Sequence, residues 1–238
     1  MILANKSVLI TGANGGLGGA LVSEALKNGS TRVIATARDI TSLEHLKSEK
    51  KVEIYALDIT NKDQILSVAK EVGTLDLLIN NAGVNSSARL FDKETMESFI
   101  DFEVNVKGTL NVCLAFKDNI KDAIVNVTSS LALVNLPLMA SYSASKAALH
   151  SLTQALRAEM RLVGVEVYEA LPGPIDTKMT AGSAMPKASP KSVAEAILKG
   201  YEQKEFEIFT DNFALQIKEA LKHNTSPLEA EFASFLAR

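Results

Sequence analysis

A run of β-forming residues, 7–11, ends in Gly12-Ala13-Asn14-Gly15-Gly16-Leu17-Gly18-Gly19. An amphipathic helical pattern follows at once over residues 17–27, with Leu17, Leu21, Val22, Ala25 and Leu26 on one face. Strand, glycine turn and helix in that order constrain the fold more than any other stretch of the chain. Glycine lets the backbone turn tightly and approach a pyrophosphate, and the helix start offers free N–H groups at the positive end of its dipole. The same alternation continues. Residues 31–35, 52–57, 75–79, 123–127 and 165–170 read as further strands, and 206–209 as a last one. Between them lie helical patterns over 41–50, 61–72, 92–116, 142–162 and from Ser189-Pro190 to Tyr201. That rhythm predicts an α/β fold, a doubly wound parallel sheet (Rossmann fold) of about seven strands in a single domain. Residues 178–204 are expected to form a mobile substrate loop and helix. Residues 205–238 are expected to form a C-terminal extension with helices over 213–221 and 228–236.

Composition fits this and excludes other classes. With 5% aromatics and no Trp, the core of these 238 residues must be aliphatic, as parallel sheets are. A net charge of −3 without a block of like charge gives no nucleic-acid footprint. The single cysteine, Cys113, rules out a disulfide within the chain, and its apolar helical setting reads as a small buried hydrophobe. His45, His150 and His223 lack metal-ligand spacing, so no metal is expected. The chain opens with no leader pattern, and no apolar window of ~18 residues occurs, which predicts a cytoplasmic protein with no membrane contact.

In an open α/β sheet, ligands bind at the carboxyl ends of the strands. Gly12, Arg38, Asp58, Asn80, Ser129 and Pro172 all follow predicted strands, so they are expected to converge on one crevice. Tyr142 and Lys146 stand four residues apart at the head of a long helix and share a face. A phenol beside an ammonium is an acid whose conjugate base is stabilised. Asn105 and Gly108 interrupt the 92–116 pattern, both at a cost to helical stability. Local violations of this kind are where function tends to sit.

Taken together, Thr11-Gly12-xxx-Gly16-x-Gly18, Asp58, Asn80-Asn81-Ala82-Gly83, Asn105, Ser129, Tyr142-xxx-Lys146 and Pro172-Gly173-xxx-Thr177 resemble the short-chain dehydrogenase/reductase family, in its short single-domain branch. The resemblance implies that Tyr142 is the general acid in reduction. It implies that Lys146 lowers the Tyr142 pKa and binds the nicotinamide ribose, and that Ser129 hydrogen-bonds the substrate oxygen. Asn105 would hold a water connecting Lys146 to solvent. Ser129 is preferred to Ser130 because it lies three residues after Asn126 and thirteen before Tyr142. Gly12, Gly16 and Gly18 would line the pyrophosphate, with Asn14 and Leu17 of the same turn also at the cofactor. Asp58 and the Ile59 backbone would contact adenine. Asn80 and Ala82, with Gly83, would flank the adenosine ribose. Pro172, Gly173, Ile175 and Thr177 would position the nicotinamide amide.

The strand-end positions Thr36 and Ala37 are not acidic and Arg38 follows, which favours NADP(H) over NAD(H), although Asp39 next door opposes a phosphate. A small apolar carbonyl or alcohol is expected as substrate, bound by Leu131, Leu133, Leu136, Met139, Met179 and Met185. The alternatives are an NAD(H)-dependent alcohol dehydrogenase of the same family, an epimerase or dehydratase of its larger branch, and a non-catalytic nucleotide-binding regulator. Many members end in a Val-Asp-Gly-Gly segment that helps build a tetramer. Phe206-Glu207-Ile208-Phe209-Thr210-Asp211 stands there instead, so a homodimer through the 92–116 and 142–162 helices is expected ahead of a homotetramer.

Overall fold

The structure is a computed structural model that describes residues 1–92, 99–182 and 184–237. Its centre is a seven-stranded sheet with every neighbouring pair parallel. The strands are β1 (Ser7–Thr11), β2 (Arg32–Ala37), β3 (Val52–Ala56), β4 (Leu75–Asn80), β5 (Ile120–Val127), β6 (Glu166–Leu171) and β7 (Glu207–Phe209), in the order β3-β2-β1-β4-β5-β6-β7. The order reverses between β1 and β4, the switch point where a crevice opens at the carboxyl edge.

Successive strand residues point to opposite faces, and each face has its own core. Val8, Ile10, Val33, Leu77 and Ile79 pack on one side with Leu21 and Val22 of α1 (Gly16–Lys27) and Ile197 of α5 (Pro190–Glu202). Leu9, Ile34, Leu78, Ile124 and Val167 pack on the other with α2 (Lys62–Val72), α3 (Thr109–Phe116) and α4 (Ala140–Arg161). Each fully buried aliphatic contributes roughly 1.5–3 kcal/mol, so two such layers hold the sheet rigid beneath the crevice. Capping fixes the helix ends. Asn61 accepts from the Gln64 amide to start α2, and Gly73, at φ +66°, ends it.

Two expectations change. Residues 41–50 do not form an α-helix; a 3-10 turn spans Ile40–Leu46, with Leu43 its one buried residue, too little apolar surface to hold a longer helix. The expected 92–116 helix crosses residues 93–98, which lie outside those described. Its later part winds as a π-helix over Phe102–Gly108 before α3 begins. The helix expected from Ser189-Pro190 to Tyr201 forms as α5, docked in the core through Val193, Ala194, Ile197 and Leu198. Beyond β7, α6 (Asn212–Leu221) and α7 (Ser226–Ser234) form a third cluster. There Ile217 and Phe232 pack with Val134 and Leu136 of the segment after β5. Among the described residues no helix is long and apolar enough to cross a membrane.

Candidate active site

A cleft of about 710 Å³ runs along the carboxyl ends of the strands. It is lined by Gly12, Asn14, Gly16, Leu17 and Gly18 after β1, Arg38 after β2, and Asp58 and Ile59 after β3. Ala82 and Gly83 follow β4, Ser129 follows β5, Tyr142 and Lys146 come from α4, and Pro172, Gly173, Ile175 and Thr177 follow β6. Two expected residues stay out of it. Asn80 turns into the sheet, where its side-chain amide donates to Asn126 Oδ1 (2.9 Å) and meets the Cys113 sulfur (3.2 Å). The neighbouring Asn81 lines the cleft instead and donates to the Thr11 and Gly12 carbonyls. Asn105 is fully buried in the π-helix. Its amide nitrogen donates to Val84 O (2.9 Å) and Ser145 Oγ (3.0 Å), and its Oδ1 accepts from Val84 N (2.8 Å). Both ends of that side chain are therefore committed to protein.

The β1 end of the cleft fits a dinucleotide phosphate group. Helix α1 starts at Gly15 with no side-chain cap, so its first amides are left for a ligand, and no acidic residue stands in its first turn. Gly18 lets the helix press on the strand: a Cβ there would lie 2.0 Å from the Gly12 carbonyl oxygen. Gly16, at φ +53°, would push a Cβ to 3.0 Å from Thr177, so the turn and the loop after β6 approach across the cleft. Farther out, Asp39 accepts from the amide and hydroxyl of Thr41, which ties its carboxylate to the following turn. Exposed Arg38 makes no hydrogen bond among the described residues and faces the cleft beside Asp58. Asp58 is held below the usual carboxylate range by hydrogen bonds from the Thr60 hydroxyl and amide and by Arg38.

At the other end sits the reactive group. The Lys146 ammonium is buried, donates to Val127 O (3.0 Å) and lies 5.7 Å from the centre of the Tyr142 ring. Burial pushes its pKa down to about 8, opposed by the negative charges of Asp101 and Glu169. The Tyr142 phenol is pushed up to about 12 by burial, the Ser129 hydroxyl pulling the other way and Asp101 adding to the rise. Ser129 itself is fixed from both sides. Its Oγ accepts from the Leu131 amide (3.1 Å) and donates to Pro172 O (3.4 Å).

Two fully buried carboxylates flank the pair, and the sequence did not single them out. Asp101 accepts from the hydroxyl and amide of Ser86. Glu169 accepts from the Thr128 hydroxyl (2.6 Å) and pairs with His150 Nδ1 (2.8 Å), whose pKa it raises. Neither is a motif residue, and only the fold brings them near Lys146.

A second, smaller cavity of about 60 Å³ opens from the same place. Ser129, Tyr142, Gly173, Met179 and Thr180 line both spaces. Its other walls are Asn85, Ser130, Leu131, Leu136, Met139, Pro174, Met185 and Phe213. Five of the six apolar residues expected around the substrate are among them; Leu133 packs in the C-terminal cluster instead.

The family model of the short chain dehydrogenases matches residues 6–187. The chain belongs to the short chain dehydrogenase family. It is an oxidoreductase. A crystal structure of a short chain dehydrogenase from Burkholderia cenocepacia in complex with NADP superimposes with a TM-score of 0.90 at 35% identity, over 98% of this chain and 99% of that one. An uncharacterized oxidoreductase of Staphylococcus saprophyticus is 33% identical over 84% of this chain and 93% of its own length. A short chain dehydrogenase/reductase from Burkholderia phymatum in complex with NAD shares the fold, with a TM-score of 0.79 at 22% identity. In this short chain dehydrogenase the matched region stops short of α6 and α7, yet Phe213 of α6 lines the small cavity.

Proposed function

We propose that this protein is an NADP(H)-dependent oxidoreductase that interconverts a carbonyl compound and its secondary alcohol. The observation that carries the reading is the junction of the two cavities: Ser129 and Tyr142 stand where the long cleft meets the small apolar pocket. A substrate oxygen at that junction lies against two hydroxyls. The dinucleotide, when bound, supplies or takes up the hydride.

The chain's own residues do the rest. Tyr142 gives the proton to the substrate oxygen in reduction and takes it back in oxidation, and Ser129 donates a hydrogen bond to that oxygen. Lys146, buried beside the phenol, stabilises the phenolate left behind. Asn105 positions the wall at Gly83 and Val84 beside Lys146. Gly12, Asn14, Gly16, Leu17 and Gly18 would hold the pyrophosphate, Asp58 and Ile59 the adenine, Ala82 and Gly83 the adenosine ribose, and Gly173, Ile175 and Thr177 the nicotinamide amide. Arg38 would hold a 2′-phosphate. The B. cenocepacia structure with NADP, at 35% identity over 98% of this chain, supports that cofactor choice.

NADPH consumption over a panel of ketones and aldehydes tests the reaction. Tyr142→Phe is expected to lower kcat by about 10²–10⁴ while NADPH still binds; a variant with wild-type turnover would sink the assignment. For the cofactor, Arg38→Ala is expected to raise KM for NADPH about tenfold and leave that for NADH nearly unchanged. Equal effects on both would remove the phosphate role.

A further inference from the structure

The C-terminal helices, which carry none of the family's motifs, close the far end of the small pocket. Phe213 is the second residue of α6 and lines this pocket together with Ser129 and Tyr142. Its ring is backed by two others. It stacks on Phe232 with centroids 6.3 Å apart and planes 9° apart, and Phe232 stacks on Phe235 at 6.1 Å and 28°. Phe232 is 1% exposed and packs with Val134, Leu136 and Ile217, so the Phe213 ring has nothing soft behind it. The backbone in front of it is fixed as well. The Asp211 carboxylate accepts from the Gly173 amide (2.7 Å) and from the Ala214 amide (3.0 Å), tying the loop after β6 to the first turn of α6. The fit is tight enough that a Cβ on Gly173 would lie 2.9 Å from that of Phe213.

The pocket so bounded is small, about 60 Å³. Among the described residues its lining carries no charged side chain. A carboxylate or phosphate placed there would lose its hydration without gaining a counter-charge.

We propose that Phe213 is the specificity-determining residue of this enzyme, and that the substrate is a neutral ketone or aldehyde whose pocket-side substituent is apolar and compact. This rests on the carbonyl reading above. Chain length is then gauged by a rigid stack of three rings, and changing the first ring resets the limit without touching the reacting groups.

The test measures kcat and KM with NADPH over butanone, 2-hexanone, 2-octanone, acetophenone and pyruvate, for wild type, Phe213→Ala and Phe213→Trp. Wild type is expected to favour the compact neutral ketones. Phe213→Ala is expected to raise kcat/KM for 2-octanone at least tenfold, mostly through KM, and Phe213→Trp to lower it for 2-hexanone. If the Ala variant does not fold, Phe213→Leu serves in its place, with melting temperature and NADPH binding as the check. A size profile unchanged in these variants, with wild type active, overturns this inference and leaves the carbonyl reading standing. Preference for pyruvate overturns the assignment to neutral substrates. Wild type that binds NADPH but reduces nothing in the panel overturns the carbonyl reading and this inference with it.

Discussion

Lys146 shows how a single side chain is set by its surroundings. Buried beneath Val127, it has its pKa held down at about 8 against an ordinary 10.5. The folded protein therefore releases this proton near pH 8, while the unfolded chain keeps it to about 10.5. Between those values the unfolded state binds more protons, so stability rises with pH across the window and the full cost of the buried ammonium is present below pH 8. Lys146→Met is expected to abolish turnover. At pH 7 it should raise the melting temperature by a few degrees, a gain of about 1 kcal/mol after the lost hydrogen bond to Val127. The gain should shrink as the melt is repeated toward pH 10; a gain that grows with pH would refute this account. The same side chain was legible as a candidate from the Tyr142–Lys146 spacing alone. The buried Asp101 and Glu169 that oppose its loss of charge were not, because neither carries a periodic or motif signal.

At the level of elements, strands β1 to β6 fall on the hydrophobic runs of the sequence, and the turns that follow those runs carry the cleft. The pattern failed where local sequence did not decide the outcome. Residues 41–50 had helical composition but only one residue to bury. The π-helix over Phe102–Gly108 depends on Asn105 meeting Val84 and on Gly108 meeting Ile59, contacts no single stretch encodes. Asn80 looked like a cleft residue by position, but β4 directs its side chain at Asn126, and Asn81 takes the place. Asp211 was passed over as part of a divergent tail, yet it caps α6 and holds the Gly173 amide. Asp211→Ala is expected to destabilise the protein by about 1–2 kcal/mol in a denaturant melt. It should also raise the NADPH KM several-fold, since the loop after β6 loses its tether. Loss of stability with an unchanged KM would confine Asp211 to capping.

For the whole molecule, the outer sides of α3 and α4 carry exposed apolar residues. Leu114 on α3 is 67% exposed and Leu152 on α4 is 37% exposed, with Leu162 and Val163 exposed just past the end of α4. A second copy of the chain against these helices is the expected cover. Light scattering should give a dimer that Leu114→Glu combined with Leu152→Glu converts to a monomer; an unchanged mass would place the contact elsewhere. The segment between β6 and α5 has a different kind of boundary. Ile175 bridges Ala188, with the Asp176 amide bonded to Ala188 O and the Ala188 amide to Pro174 O, each at 2.9 Å. The chain thus leaves the body after Ile175 and rejoins it at Ala188, with those two points bridged. Such a lasso can be lengthened, trimmed or swapped past Thr180 at little entropic cost to the rest, because closing a loop depends only weakly on its length. Past Thr180 that stretch carries Met185 of the small pocket, a place beside Phe213 where the pocket wall can be rewritten without disturbing the hydroxyl pair or the dinucleotide cleft.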